Sequence, residues 1–125
     1  MELNNLTAIS PVDGRYRKQV AHLDEYFSEY ALIKHRVIVE VEYFLFLADK
    51  KFFKLPVKTA QSLKKMAEEF SLNDAQQIKL TEATTNHDVK AVEYYIKQNY
   101  ESVLGNTAEF IHFGLTSQDI NNTSI

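Results

Sequence analysis

Four short segments of the 125-residue chain place small polar residues beside groups able to bind anions or move protons. The first is Ser10-Pro11-Val12-Asp13-Gly14-Arg15-Tyr16. A glycine turn followed by arginine and tyrosine can hold a phosphate, because guanidinium presents a fork of donors and the phenol adds a hydroxyl. Read alone, the same pair is also ordinary surface decoration. The second, Thr84-Thr85-Asn86-His87-Asp88-Val89-Lys90, sets an amide, an imidazole and a carboxylate at a predicted helix start. Unpaired N–H groups and the helix dipole favour an anion there. His87 and Asp88 invite reading as a catalytic dyad, but helical neighbours in sequence point about 100° apart, so Asp88 is poorly placed to orient His87.

The third segment is Phe110-Ile111-His112-Phe113-Gly114, in which a histidine flanked by apolar residues reads first as a hydrogen-bonded core residue. The fourth, Leu115-Thr116-Ser117-Gln118-Asp119, offers two hydroxyls at another helix start. That suits a carboxylate, although plain capping accounts equally well for Thr116. His22 and His35 read as solvated. Glu40, Glu42, Lys50, Lys51, Lys64, Lys65, Glu68 and Glu69 read as polar faces. His87 and His112 are distant in sequence, and His87 has no His or Glu three or four residues away, so no metal site is predicted. No glycine-rich phosphate loop or nucleophile elbow is present.

The elements that position these segments are predicted to be helices. Three glycines and two prolines are too few for a turn-rich β fold. The head through about Val20 reads as irregular. From about Asp24 to Phe53, Tyr30, Ile33, Val37, Val41, Phe44 and Ala48 recur at helical spacing, while Val39-Glu40-Val41-Glu42-Tyr43 alternates like a strand. Length decides for helix, since half-buried strands rarely exceed about ten residues. Pro56 sits as a first helical residue, and Val57, Ala60, Leu63, Ala67 and Phe70 mark one face. Ser71 with Asp74 opens a short helix toward Glu82. Thr85 with Asp88 repeats that spacing and starts a helix carrying Val89, Val92 and Ile96. Asn106 with Glu109 gives another start, with Gly114 as its stop. Thr116 with Asp119 is the last such signature, with about two turns remaining before Ile125; this reads either as a frayed terminus or as the opening of a longer helix.

Composition narrows the classes further. Hydrophobic residues at 45% and charged residues at 25% describe one ordinary globular domain and argue against disorder. A net charge of −3 gives no basic excess for nucleic acid. With no cysteine there are no disulfides or thiolate zinc sites. The densest apolar stretch, Tyr43 to Ala48, is far short of the roughly 20 residues a bilayer needs, and the start lacks the pattern of a signal peptide. The expected location is the cytoplasm.

Taken together, the segments resemble the bacterial-type adenylosuccinate lyases of the fumarase/aspartase superfamily. The resemblance rests on three blocks in order: Leu6 to Tyr16, Thr84 to Tyr94, and Glu109 to Asn122. It implies a mainly α fold: an amino-terminal helical domain over 1–115, then the first turns of a central-bundle helix over 116–125. The family reaction is a β-elimination that needs no cofactor. It cleaves adenylosuccinate to AMP and fumarate, and the succinyl-carboxamide ribonucleotide (SAICAR) to AICAR and fumarate. By the same resemblance Arg15 and Tyr16 grip the nucleotide phosphate. Asn86, His87 and Asp88 line the nucleotide pocket, and Thr116 and Ser117 bind carboxylates. The family's general acid and base fall outside these residues, and its assembly is a homotetramer. Two alternatives stay open, a stand-alone helical interaction module and another lyase of the superfamily.

Overall fold

The computed structural model describes residues 1–125, in which every regular element is helical. The head holds a 3-10 turn at Pro11–Asp13, a short helix α1 (Arg17–Val20) and a second 3-10 turn at Ala21–Leu23. It is thus more ordered than its sequence suggests. The cause is a buried ion cluster: Arg17 reaches Asp13 and Asp24, each at 2.8 Å. Asp13 also accepts from the backbone of Ile9 and Ser10. Those backbone bonds, Ser10 first, outweigh desolvation and hold its carboxyl below the usual range.

The long apolar segment is two helices, α2 (Asp24–Phe27) and α3 (Glu29–Asp49). Ser28 separates them. Its backbone is extended, and its hydroxyl accepts from the Ala31 N–H at 3.1 Å, capping α3. Ile33, Val37, Val41, Phe44 and Leu47 are all buried along α3, so the helical period overrides the local strand-like alternation. The helix stops at Asp49 rather than Phe53, because Lys51 takes a left-handed conformation (φ 66°). The returning chain stacks Phe53 between Phe44 and Phe110, each at 4.7 Å.

Helix α4 (Val57–Glu68) begins one residue later than predicted, with Pro56 as its N-cap. Thr59, Leu63 and Ala67 face the core, whereas Val57 is 73% exposed. Helix α5 (Leu72–Thr85) opens on the predicted Ser71–Asp74 capping box and runs one turn past Glu82. Helix α6 (Asp88–Leu104) packs along it as a hairpin. The helix predicted from Asn106 is a 3-10 segment, Gly105–Phe110, and His112 and Gly114 then turn through positive φ. Helix α7 (Ser117–Ser124) follows.

Helix α3 is the common strut, packed against α2, α4, α5, α6 and α7. A cluster of 17 buried residues forms around it, including Leu63, Ile78, Val92 and Ile96. Burying each such side chain contributes about 1.5–3 kcal/mol. Tyr30 joins the ends of α3 and α4 by donating to the Phe70 carbonyl at 2.8 Å. No helix is long and apolar enough to cross a membrane.

Two charges read from sequence as surface, or not singled out at all, lie in this core. Glu40 is 0% exposed and Arg36 8%. Ile33, Arg36, Val37, Glu40, Val41, Phe44 and Leu47 form one helical stripe, and the two charged members are buried by position. The reading of Glu40 as a polar face is therefore corrected.

Candidate functional site

The site begins where α5 ends. Asn86 takes the left-handed conformation (φ 53°) that asparagine tolerates better than most residues, and its N–H bonds the Glu82 carbonyl at 2.8 Å. That reversal leaves His87 extended (φ −145°, ψ 114°), and His87, not Thr85, caps α6. Thr85 is instead the last residue of α5. Its hydroxyl clasps the turn, 3.4 Å from the His87 N–H and 3.2 Å from the His87 carbonyl.

Capping fixes the chemistry of the imidazole. His87 Nδ1 accepts from the Lys90 N–H at 3.2 Å, so in the neutral ring the proton resides on Nε2. That Nε2 lies 3.2 Å from the Ser117 hydroxyl and can donate to it. Asp88 is 3.9 Å from Nδ1, with no hydrogen bond between them, so no dyad forms. One Asp88 oxygen accepts from the Val89 N–H, and the other pairs with Arg36 at 2.7 Å.

The other wall is the start of α7. Asp119 accepts from the Thr116 N–H at 2.8 Å and from its hydroxyl at 3.1 Å. These bonds, the backbone one foremost, hold the Asp119 carboxyl below the usual range. Ser117 occupies the first turn and faces His87. Arg36 links the two walls, since its Nε donates to Asn121 Oδ1 at 3.0 Å. Sequence reasoning missed Arg36. The available signal was its place on the apolar stripe of α3, where a charge requires a partner.

Behind this wall His112 Nδ1 meets Glu40 Oε1 at 2.5 Å. Burial pushes the Glu40 carboxyl above the ordinary range, His112 pulls it back in part, and the neighbouring Glu93 adds to the rise. Glu93 is itself held low, because hydrogen bonds from Lys97 and Lys90 overcome its burial. Tyr43 secures the same turn by donating to the Phe113 carbonyl at 2.8 Å.

The structure thus brings together His87, Asp88 and Ser117, with Asn86 and Thr116 adjacent in the chain. Arg15 and Tyr16 are exposed on the head, the Arg15 guanidinium 5.5 Å from the centre of the Tyr16 ring. No hydrogen bond or ion pair joins them to the other site residues. No group of three or more His, Asp or Glu is placed to hold a metal ion.

Residues 14–125 match the family model described as lyase. The chain is 56% identical, over its whole length, to the adenylosuccinate lyase of Dictyostelium discoideum. Over 99% of its length it is 49% identical to that of Escherichia coli K12 and 47% identical to that of Vibrio cholerae. It spans about 28% of the length of each of these relatives. With a helical fold, two apposed helix starts and this similarity along all of its residues, the chain belongs to the lyase family of the fumarase/aspartase superfamily and is similar to the adenylosuccinate lyases.

Proposed function

We propose that the chain forms the nucleotide- and carboxylate-binding wall of an adenylosuccinate lyase active site. The observation that carries this reading is the apposition of His87 Nε2 and Ser117 Oγ at 3.2 Å. A carboxylate can accept from both groups at once, beside the free N–H groups of two helix starts. In this reading Arg15 and Tyr16 grip the phosphate, Asn86, His87 and Asp88 line the nucleotide pocket, and Thr116 and Ser117 hold the succinyl or fumarate carboxylates.

The reaction is a β-elimination. A base removes a proton beside the succinyl carboxylate, the resulting carbanion is held as an aci-carboxylate, and an acid protonates the departing nitrogen. The wall described here acts on charge: hydroxyl and N–H donors already in place stabilise the negative carboxylate as the carbanion forms. By family resemblance the acid and base lie outside residues 1–125, so this chain alone should release no fumarate. Large apolar side chains left uncovered, such as Phe27 at 70% exposed and Val57, fit surfaces that pack on further helices of a homotetramer.

The test is elimination by the full-length protein, read as fumarate release from adenylosuccinate and argininosuccinate and as ring opening of carboxymuconolactone to carboxymuconate, compared at equal concentration. Preference for adenylosuccinate by several hundredfold is the expected result. Preference for either rival would assign another superfamily reaction, and no turnover of any of them would favour an interaction module.

A further inference from the structure

The geometry points to Arg36 as a positioning residue that holds the two helix starts in register, an inference resting on the reading above of His87 and Ser117 as one binding site. Arg36 belongs to none of the motifs that announce that site. It rises from the middle of α3 and is nearly buried. Its Nη2 pairs with Asp88 Oδ2 at 2.7 Å, and its Nε donates to Asn121 Oδ1 at 3.0 Å. Asp88 is the first residue of α6, next to the capping His87. Asn121 stands one helical turn beyond Ser117, on α7. One planar group thus touches both ligand-bearing helices, each a single turn or less from the side chain it would position.

The chemistry explains why arginine serves here. Guanidinium donors leave a rigid plane in fixed directions, so two partners held at once are also held relative to each other. A lysine ammonium can satisfy Asp88 but fixes no angle to Asn121. The direct link between the walls, His87 to Ser117, is exposed to water and adds little rigidity by itself. The Arg36 fork is shielded, anchored on the helix that contacts every other long element, and is the stronger determinant of the spacing. Each carboxylate oxygen of Asp88 is engaged, one by Arg36 and one by the Val89 N–H, which fixes the start of α6 beside His87.

Arg36→Met, Arg36→Lys and Asn121→Ala in the full-length protein test this, alone and combined with Ser117→Ala. Misplacement of about 1 Å at a binding site lowers kcat/KM on the order of a hundredfold, and Arg36→Met should do so for adenylosuccinate. Arg36→Lys should recover part of the loss. Loss of the Ser117 hydroxyl should lower kcat/KM about tenfold in the native background. In the Arg36→Met background it should lower it less than about twofold, because the hydroxyl no longer stands where it acts. A merely structural Arg36 would reduce the folded fraction and leave the Ser117 effect at its full size, which would overturn the inference. If Arg36→Met does not fold, Asn121→Ala, which removes one arm only, must still shrink the Ser117 effect. A crystal structure of the Arg36 or Asn121 variant decides the matter without any assay: His87 Nε2 and Ser117 Oγ should part beyond hydrogen-bonding reach, and a retained contact overturns the inference. Should the native protein release no fumarate from adenylosuccinate, the substrate reading falls, and the structure of the variant still decides the role of Arg36.

Discussion

His87 Nε2 and Ser117 Oγ stand 3.2 Å apart although 30 residues separate them in the chain. The contact exists because one helix start is capped by the imidazole itself, which turns the protonated nitrogen outward. The other start presents its first-turn hydroxyl to meet it. As proposed, the histidine is then a donor that positions substrate rather than the acid of the reaction.

Substitution separates those two roles. In the full-length protein His87→Gln, which keeps an N–H donor, should retain a measurable part of the activity. His87→Ala should lose more, roughly ten- to a hundred-and-fifty-fold, because a hydrogen bond to a charged group is worth about 1.5–3 kcal/mol. The pH–rate profile of the Gln variant should keep both its limbs, since the titrating acid and base lie elsewhere. Equal inactivity of the two variants, with one limb missing, would make His87 the acid.

Arg15 and Arg17 are two residues apart and should behave oppositely. Arg17 neutralises the buried Asp24, and Arg17→Met leaves that carboxylate with only the Met1 ammonium, at 3.4 Å. Removing one partner of a buried pair should destabilise by about 3 kcal/mol. Arg15→Met, on the exposed head, should change stability by no more than about 0.5 kcal/mol and instead weaken phosphate binding. Urea unfolding of both variants, together with their KM for adenylosuccinate, checks the contrast. Equal destabilisation would contradict it.

Glu40 gives the fold a pH dependence of known sign. Burial raises its carboxyl above the ordinary value of 4.5. The folded chain therefore holds that proton more tightly than the unfolded chain does. The resulting stabilisation is fully present below the ordinary value and is lost as pH rises through the folded one. Glu40→Gln removes the titration. Relative to the native protein, the variant should gain stability as pH is raised from about 4 to 8, by up to 1.4 kcal/mol for each pH unit of separation between the two values. Urea midpoints at several pH values check this, and curves that stay parallel would contradict it.

Much of this architecture was legible in the residues. The boxes Ser71–Asp74 and Thr116–Asp119, and the stripe from Ile33 to Phe44, carry their signal locally, in capping chemistry and in a 3.6-residue period. The capping of α6 was not legible. Thr85 and Asp88 have the right spacing, but Asn86 spends its residue on a left-handed turn, and such a turn moves the cap to His87 without changing the pattern. Arg36 and Glu40 were hidden for a different reason. A charge on an apolar face is stable only with partners, and theirs, Asp88 and Asn121 for the one and His112 for the other, lie 52 to 85 residues away. Local spacing holds no record of such contacts. That Arg15 and Tyr16 share no hydrogen bond or ion pair with the cluster was likewise beyond sequence, since the three blocks specify order along the chain and not contact.

The most direct test of the account is a double-mutant cycle on the contact that carries it. His87→Ala, Ser117→Ala and the double variant of the full-length protein are assayed for kcat/KM with adenylosuccinate. If the two helix starts form one site, the double variant should lose at least threefold less than the product of the single losses, equivalent to a coupling above about 0.6 kcal/mol. Losses that multiply would show that His87 and Ser117 act independently and would contradict a shared site.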